Sequence, residues 1–215
     1  MVPPLIQTPR LTLILLYDDT HSSQHLTWFH ENWSDPDATS WSISGTSTSL
    51  EDSRARMQHL LLNNNYFYSV FAKSEGLESE ATEENPGKHV GSVGLRTQSS
   101  GPTVPALALR DEDKGKELDL RILGYAYFKH AWGKGYATEA ARGLLDAYAA
   151  SVAEEKAKGE KVFYVEAGVD EGNPASTAIV RKLGFEKVGF KEEQEPVFLG
   201  GEWREDGYWI YGMYV

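Results

Sequence analysis

The chain has 215 residues, 40% of them hydrophobic, no cysteine and a net charge of −11. That length suits one well-buried α/β domain and is short for two. The missing cysteines exclude disulfides, thiolate catalysis and cysteine–zinc sites, and the acidic balance argues against nucleic acid as a partner.

Much of the acid excess lies in Glu75, Glu78, Glu80, Glu83 and Glu84, within a stretch that reads as a solvated loop. No long apolar run is present, so no membrane span is expected. The opening Met1–Arg10 segment lacks the charged and apolar blocks of a signal peptide. We therefore expect a soluble, cytoplasmic protein. His21, His25, His30, His59, His89 and His130 show no metal-ligand spacing, so no metal is expected.

In chain order, Thr8–Leu16 reads as a first strand, with Leu11, Leu13 and Leu15 alternating. Asp18 to Thr20 can open a helix running to Trp33, with Trp28, Phe29 and Trp33 on one face. Ser49 is an N-cap with Asp52 three residues on, predicting a helix over 50–62 that stops at Asn63-Asn64-Asn65. Strands are expected at Tyr66–Ala72 and His89–Arg96. Two segments, 74–88 and 98–117, are rich in Gly, Pro, Ser and charge and read as insertions, the first of them flexible.

Leu118–Phe128 has the aromatic and aliphatic composition of a central buried strand. The period then changes: Ala137, Ala140, Ala141, Leu144, Leu145, Tyr148 and Val152 recur at helical spacing. Gly133 and Gly135 punctuate the turn between strand and helix. A helix N-terminus offers unpaired N–H groups and about half a positive charge, a natural seat for phosphate. Glycines let the backbone approach such a ligand. Further on, Lys161–Ala167 reads as a strand. Asn173, Pro174 and Gly184 then bracket a short helix as N-cap, first residue and stop. Strands from Phe198 onward close the chain, with turns at Gly200-Gly201 and Asp206-Gly207.

Trp132-Gly-Lys-Gly-Tyr-Ala-Thr-Glu-Ala140 resembles the acetyl-CoA loop of the GNAT-type N-acetyltransferases, nearest the branch that acetylates the N-termini of ribosomal proteins. Asn173-Pro-Ala-Ser176 with Leu183-Gly-Phe185 resembles the family's second motif, in the expected order. The Thr8-Pro-Arg-Leu-Thr-Leu13 opening is also frequent in that branch. The resemblance implies a single mixed α/β domain. Its sheet would be mostly antiparallel, of six to seven strands, splayed at the central strand and flanked by about four helices.

It also implies acetyl transfer from acetyl-CoA to a primary amine by direct attack. Backbone groups of Tyr127, Phe128 and Lys129 would pair with the pantetheine arm. Trp132, Gly133, Lys134, Gly135, Tyr136, Ala137 and Thr138 would hold the pyrophosphate. Asn173 would contact the CoA chain, and Ser176 would lie near the sulfur as proton donor. Trp28, Trp33 and Trp41 are candidates for lining the acceptor groove, and the chain would act as a monomer or homodimer. Many relatives carry an acidic tyrosine where this chain has Val180, and a glutamate base where it has Ile122. Asp119 is the candidate replacement base, with Glu31 and Glu166 as others. A non-catalytic acyl-CoA-binding module on the same fold is the second reading, and a nucleotide-binding α/β domain a more distant third. The acceptor is open: protein N-termini, lysines, polyamines and small amines all fit.

Overall fold

In the computed structural model, which describes residues 2–73, 82–104 and 109–215, the sheet is built outward from the strand anticipated over 118–128. We number its elements in chain order: β1 (Leu5–Gln7), β2 (Leu11–Leu15), α1 (Gln24–Trp33), α2 (Leu50–Leu62), β3 (Tyr66–Ala72), β4 (Lys88–Thr97), β5 (Glu117–Tyr127), α3 (Tyr136–Ala157), β6 (Lys161–Val169), α4 (Pro174–Leu183), β7 (Glu186–Lys191), β8 (Val197–Leu199), β9 (Glu202–Arg204) and β10 (Tyr208–Tyr214). Eight strands form one sheet in the order β1-β2-β3-β4-β5-β6-β10-β7, while β8 and β9 pair separately. Every neighbouring pair is antiparallel except β5 and β6.

The sheet has one strand more than expected, because Leu5–Gln7 pairs with Thr12–Ile14 of β2 as a short edge. Prolines at 3, 4 and 9 flank this strand without interrupting it, the placement an edge strand allows. The first helix starts later than the sequence suggested. Ser23 is its N-cap and accepts from the amides of His25 and Leu26, while Asp18 accepts from the Thr20 amide in a preceding turn. The insertion expected at 74–88 falls largely on residues 74–81, outside the described part. Of the second insertion, 105–108 lie outside it. The described remainder docks on the sheet through Thr103 to Glu166 and through Arg110, whose amide donates to Tyr214 Oη.

Period-two alternation divides the core. On one face, Ala140, Ala141, Leu144, Leu145, Tyr148 and Val152 of α3 pack with Val180 and Leu183 of α4 against Leu11, Leu13, Val93, Leu123 and Val165. On the other, Leu26, Trp28, Phe29 and Met57 of α1 and α2 pack on Ile14 and Phe71. Each fully buried side chain of this kind contributes about 1.5–3 kcal/mol of apolar burial, so both helical layers are fixed by the sheet they cover.

The feature that positions everything else is where β5 and β6 stop pairing. Their parallel register runs from Glu117–Lys161 to Ile122–Glu166 and ends there. Beyond it β5 stays with β4 as far as Tyr127, while β6 stays with β10 as far as Val169. The strands therefore diverge at Leu123, and the edge of β5 from Leu123 to Tyr127 faces a cleft.

Candidate functional site

The cleft opens on one face of the sheet. Gly124 and Gly168 are exposed although both strands are otherwise largely buried. A Cβ added to Gly124 would meet no atom within 4 Å. Gly124 shares its face with Ser92 of β4, because Cα partners of an antiparallel pair point the same way: Ser92 lies opposite Ala126 and Gly94 opposite Gly124. Ser92 Oγ donates to Asn32 Oδ1 of α1 at 2.6 Å. The glycine-lined mouth therefore opens on the α1/α2 side.

On the opposite side the cleft meets α3 and α4. The turn after β5 runs through Gly133 and Gly135, with φ of 72° and 78°. This is left-handed backbone, which costs other residues about 1–2 kcal/mol. Gly135 is the N-cap of α3 and no side chain among the described residues caps the helix, so its first-turn amides are not satisfied by a capping group. The loop is braced from outside. Glu139 of α3 accepts from Thr8 Oγ1 at 2.7 Å and from the Arg10 amide at 2.8 Å through Oε1, and from Arg10 Nε at 2.6 Å through Oε2. Arg10 Nη1 also donates to the Lys134 carbonyl at 2.9 Å. Thr8 and Arg10 belong to the opening motif, and Glu139 to the loop motif, so the two stretches of sequence are one structural unit.

Across the cleft, Asn173 caps α4 by accepting from the Ser176 amide at 3.0 Å. Ser176 is half-buried, and its hydroxyl lies near enough to the Tyr125 side chain of β5 to influence its titration. Burial raises the Tyr125 hydroxyl above its ordinary range, and the Ser176 hydroxyl works the other way. Val180 is fully buried against the sheet, so its position faces the core. Sequence reasoning misses Tyr125 as a site residue. Its one signal is its place, two residues before Tyr127 on the same face of the central strand.

Several expected site residues are held elsewhere. The Tyr127 carbonyl accepts from Trp132 Nε1 at 2.7 Å, and the Phe128 amide donates to the Val90 carbonyl at 3.1 Å. The Phe128 carbonyl closes a short turn with Ala131 and the Lys129 carbonyl accepts from the Trp132 amide. Backbone available for strand-like pairing thus lies earlier, along Leu123–Tyr127. Lys129 reaches Asp37 at 3.5 Å. Trp28 and Trp33 are packing residues. Trp28 is 8% exposed and edge-on to Phe71, and Trp33 stacks on Phe29. Trp28 also borders a recess of about 540 Å³ with Phe71, Glu83 and His89, on the β3–β4 side of the sheet. Trp41 differs. It lies against the β8–β9 turn, where the Gly200 amide donates to the Ser40 carbonyl at 2.7 Å. Arg204 of β9 stands over the Trp41 ring and reaches Asp170, the residue after β6, at 3.6 Å. These contacts join the α1–α2 connection to the hairpin as an arch near the end of β6.

Asp119 is not in the cleft. It sits in the paired part of β5, where its carboxylate accepts from Arg121 Nε at 2.6 Å and from Tyr148 Oη at 2.9 Å. Burial works to raise its pKa, but the Arg121 and Tyr148 hydrogen bonds and the Arg121 charge together hold it below the usual carboxylate range. This is a structural ion pair and a poor proton acceptor. Glu31 lies at the far end of β4, 3.1 Å from His89 Nδ1, and that bond holds its pKa low. Glu166 is the candidate base that stands at the divergence itself.

A family model for the GNAT acetyltransferase domain matches residues 11–186. The chain belongs to the GNAT acetyltransferase family. Solved structures agree on the fold. An acetyltransferase of the GNAT family from Bacillus anthracis matches at 19% identity over 98% of both chains, with a TM-score of 0.60. RimL, a ribosomal L7/L12 alpha-N-protein acetyltransferase in complex with coenzyme A, matches at 17% identity over 98% of both chains, TM-score 0.62. An acetyltransferase from Agrobacterium tumefaciens matches at 18% identity over 100% of this chain and 96% of that one, TM-score 0.58. The comparison with curated proteins found no match.

The ion pair on β5 yields a test of stability. Asp119→Asn leaves Arg121 buried without its charge partner and is expected to cost about 3 kcal/mol or more in a denaturant melt. Because the folded-state pKa of Asp119 is depressed, its contribution is complete above the ordinary carboxylate pKa of about 3.9 and is lost as pH falls through the lower folded value. The stability gap between wild type and variant is therefore expected to shrink below about pH 4.

Proposed function

We propose that this chain transfers an acetyl group from acetyl-CoA to a primary amine. The observation that carries the reading is the divergence of β5 and β6 at Ile122–Glu166, beside a helix N-terminus whose first-turn amides no described side chain caps. A pyrophosphate fits Gly133–Thr138: two left-handed glycines bring the backbone close, and the α3 dipole favours the anion. The pantetheine arm fits the open edge of β5 from Leu123 to Tyr127, adding to the sheet in the way a strand does. Bound acetyl-CoA supplies a thioester whose acyl carbon is open to attack.

The residues then divide the work by face. The amine reaches the cleft by the glycine-lined mouth on the α1/α2 side, beneath the arch that contains Trp41. On the opposite side, we assign proton donation to the leaving sulfur to the Ser176 and Tyr125 hydroxyls, which lie near each other. First-turn or β5-edge amides supply donors to charge developing on the carbonyl oxygen. No covalent intermediate on the protein is needed, which suits a chain without cysteine. The acceptor we propose is a protein N-terminus or a small amine, met in the cytoplasm.

Three outcomes are expected. Gly135→Glu forces a side chain into left-handed backbone and puts a negative charge at the anion seat. It should abolish the rise in melting temperature that acetyl-CoA gives the wild type. Gly124→Leu fills open space, so it should leave the melting temperature within about 2 °C while lowering amine-dependent release of free CoA by at least tenfold. Replacing the donor pair by Ser176→Ala with Tyr125→Phe should lower kcat by roughly 10²-fold, with acetyl-CoA affinity by calorimetry little changed. If instead acetyl-CoA binds and no amine in a panel of N-terminal peptides, lysine derivatives and polyamines is acetylated, the transfer reading fails.

A further inference from the structure

Glu166 is 1% exposed, and no lysine, arginine or histidine among the described residues pairs with it. A buried carboxylate without a cation is expensive in an interior. Where one occurs beside an open cleft, it is a candidate for chemistry. Its hydrogen-bond partner is Thr103, in the connection between β4 and β5. The Thr103 amide lies 3.2 Å from both carboxylate oxygens, and its hydroxyl donates to Oε2 at 2.7 Å. Thr103 is itself held by Gln98, whose Nε2 donates to Thr103 Oγ1 at 3.1 Å and to the Gly101 carbonyl at 2.9 Å. Among the described residues, the carboxylate is thus covered by one short strap and anchored to nothing else.

Its position is the second observation. Glu166 forms the last rung of the β5–β6 ladder, level with Ile122. Neighbouring strands are about 4.8 Å apart, so its carboxylate stands over the point where the cleft opens. Along β6, Phe163, Val165 and Ala167 belong to the core under α3, so Glu166 points to the other face, with Tyr164 and Gly168. That is the face of exposed Gly124, where the acceptor enters. Ser176 and Tyr125 lie on the α4 side. Acceptor side and leaving-group side of the cleft thus each hold one proton-transfer group.

We infer that Glu166 is the general base for the acceptor amine and that the Gln98–Thr103 strap covers it until the acceptor displaces Thr103. This inference rests on the acetyl-transfer reading of the cleft. The acceptor arrives as an ammonium ion. Glu166 takes one proton from it and releases that proton to solvent, leaving the lone pair that forms the N–C bond. The C–S bond breaks, and the sulfur takes a proton from the Ser176–Tyr125 pair. The second nitrogen proton replaces the one given to sulfur, so one proton is released overall. On its face of the sheet the charged strand residues lie one strand further out, Arg96 of β4 opposite Ile122 and Glu186 of β7 opposite Gly212, and the groups directly beside Glu166 do not compete. Ile122 on β5 and Gly212 on β10 are not ionisable, and the Tyr164 hydroxyl on β6 is pushed up by burial and by Glu166.

The test compares wild type with Glu166→Gln and Glu166→Asp, measuring acetyl-CoA affinity by calorimetry and the pH dependence of amine-dependent CoA release. Glu166→Gln is expected to bind acetyl-CoA within about twofold of wild type and to lose roughly 10²–10³-fold in kcat. The limb in which wild-type activity falls at acidic pH should disappear with it. Glu166→Asp, with a carboxylate drawn back by one carbon, should keep that limb at reduced kcat. A strap anchor would behave differently: both variants would lower the melting temperature and leave kcat and the acidic limb in place, which overturns the inference. Should Glu166→Gln fail to fold, Glu166→Asp decides, because a limb kept at a reduced kcat supports the base and an unchanged kcat refutes it. A wild type that binds acetyl-CoA but acetylates nothing removes the underlying reading, an outcome distinct from an active wild type with an equally active Glu166→Gln.

Discussion

The structure depends on one broken ladder. β5 and β6 are held together for six residues and then separate, and beyond that point β5 stays with β4 and β6 stays with β10. A gap in the middle of a sheet leaves backbone donors and acceptors unpaired, an unfavourable state unless a ligand or water completes them. Those groups lie beside the turn into α3, so one irregularity provides both an edge to pair with and a positive helix terminus to receive a charge. The Arg121–Asp119–Tyr148 cluster ties the closed part of the ladder to α3 just before the opening. It takes no part in the proposed transfer chemistry, but it secures the rigid end from which the strands diverge.

Two further restraints keep the cleft in shape. At the turn into α3, Thr8, Arg10 and Glu139 lock the two glycines to the start of the chain through four hydrogen bonds, including the one to the Lys134 carbonyl. Left-handed glycines give the turn its path, but glycine is also the residue with the most freedom to lose. An external brace offsets that. Near the end of β6, the arch formed by Ser40, Trp41, Gly200, Arg204 and Asp170 joins three segments that are remote in sequence.

The chain's own amino acids made some of this legible. Alternation and the change of period near Ala137 gave the central strand and α3. Ser49, Asn173, Pro174 and Gly184 gave the ends of α2 and α4 at the residues where the structure has them. The glycine turn was legible for the same reason. Caps, left-handed glycines and helix starts depend on a few consecutive residues, so the information for them is local. The resemblance to the family's loop and second motif rested on those same local features.

Tertiary structure decided which chemical groups meet. Asp119 and Glu166 are both acids on neighbouring strands, and nothing local distinguishes a charge locked to Arg121 and Tyr148 from one that stands at an opening. Trp28, Trp33 and Trp41 are alike in sequence terms, yet two fill the core and one supports the arch, because burial is set by what packs against each residue. Tyr125 and Ser176 come from elements remote in sequence and are brought near each other by the packing of α4 on the sheet. The sequence by itself determined the elements and their ends, since these are matters of periodicity and backbone preference. The three-dimensional arrangement alone determined the partners of each charge and hydroxyl, because those depend on strand register and on where pairing stops.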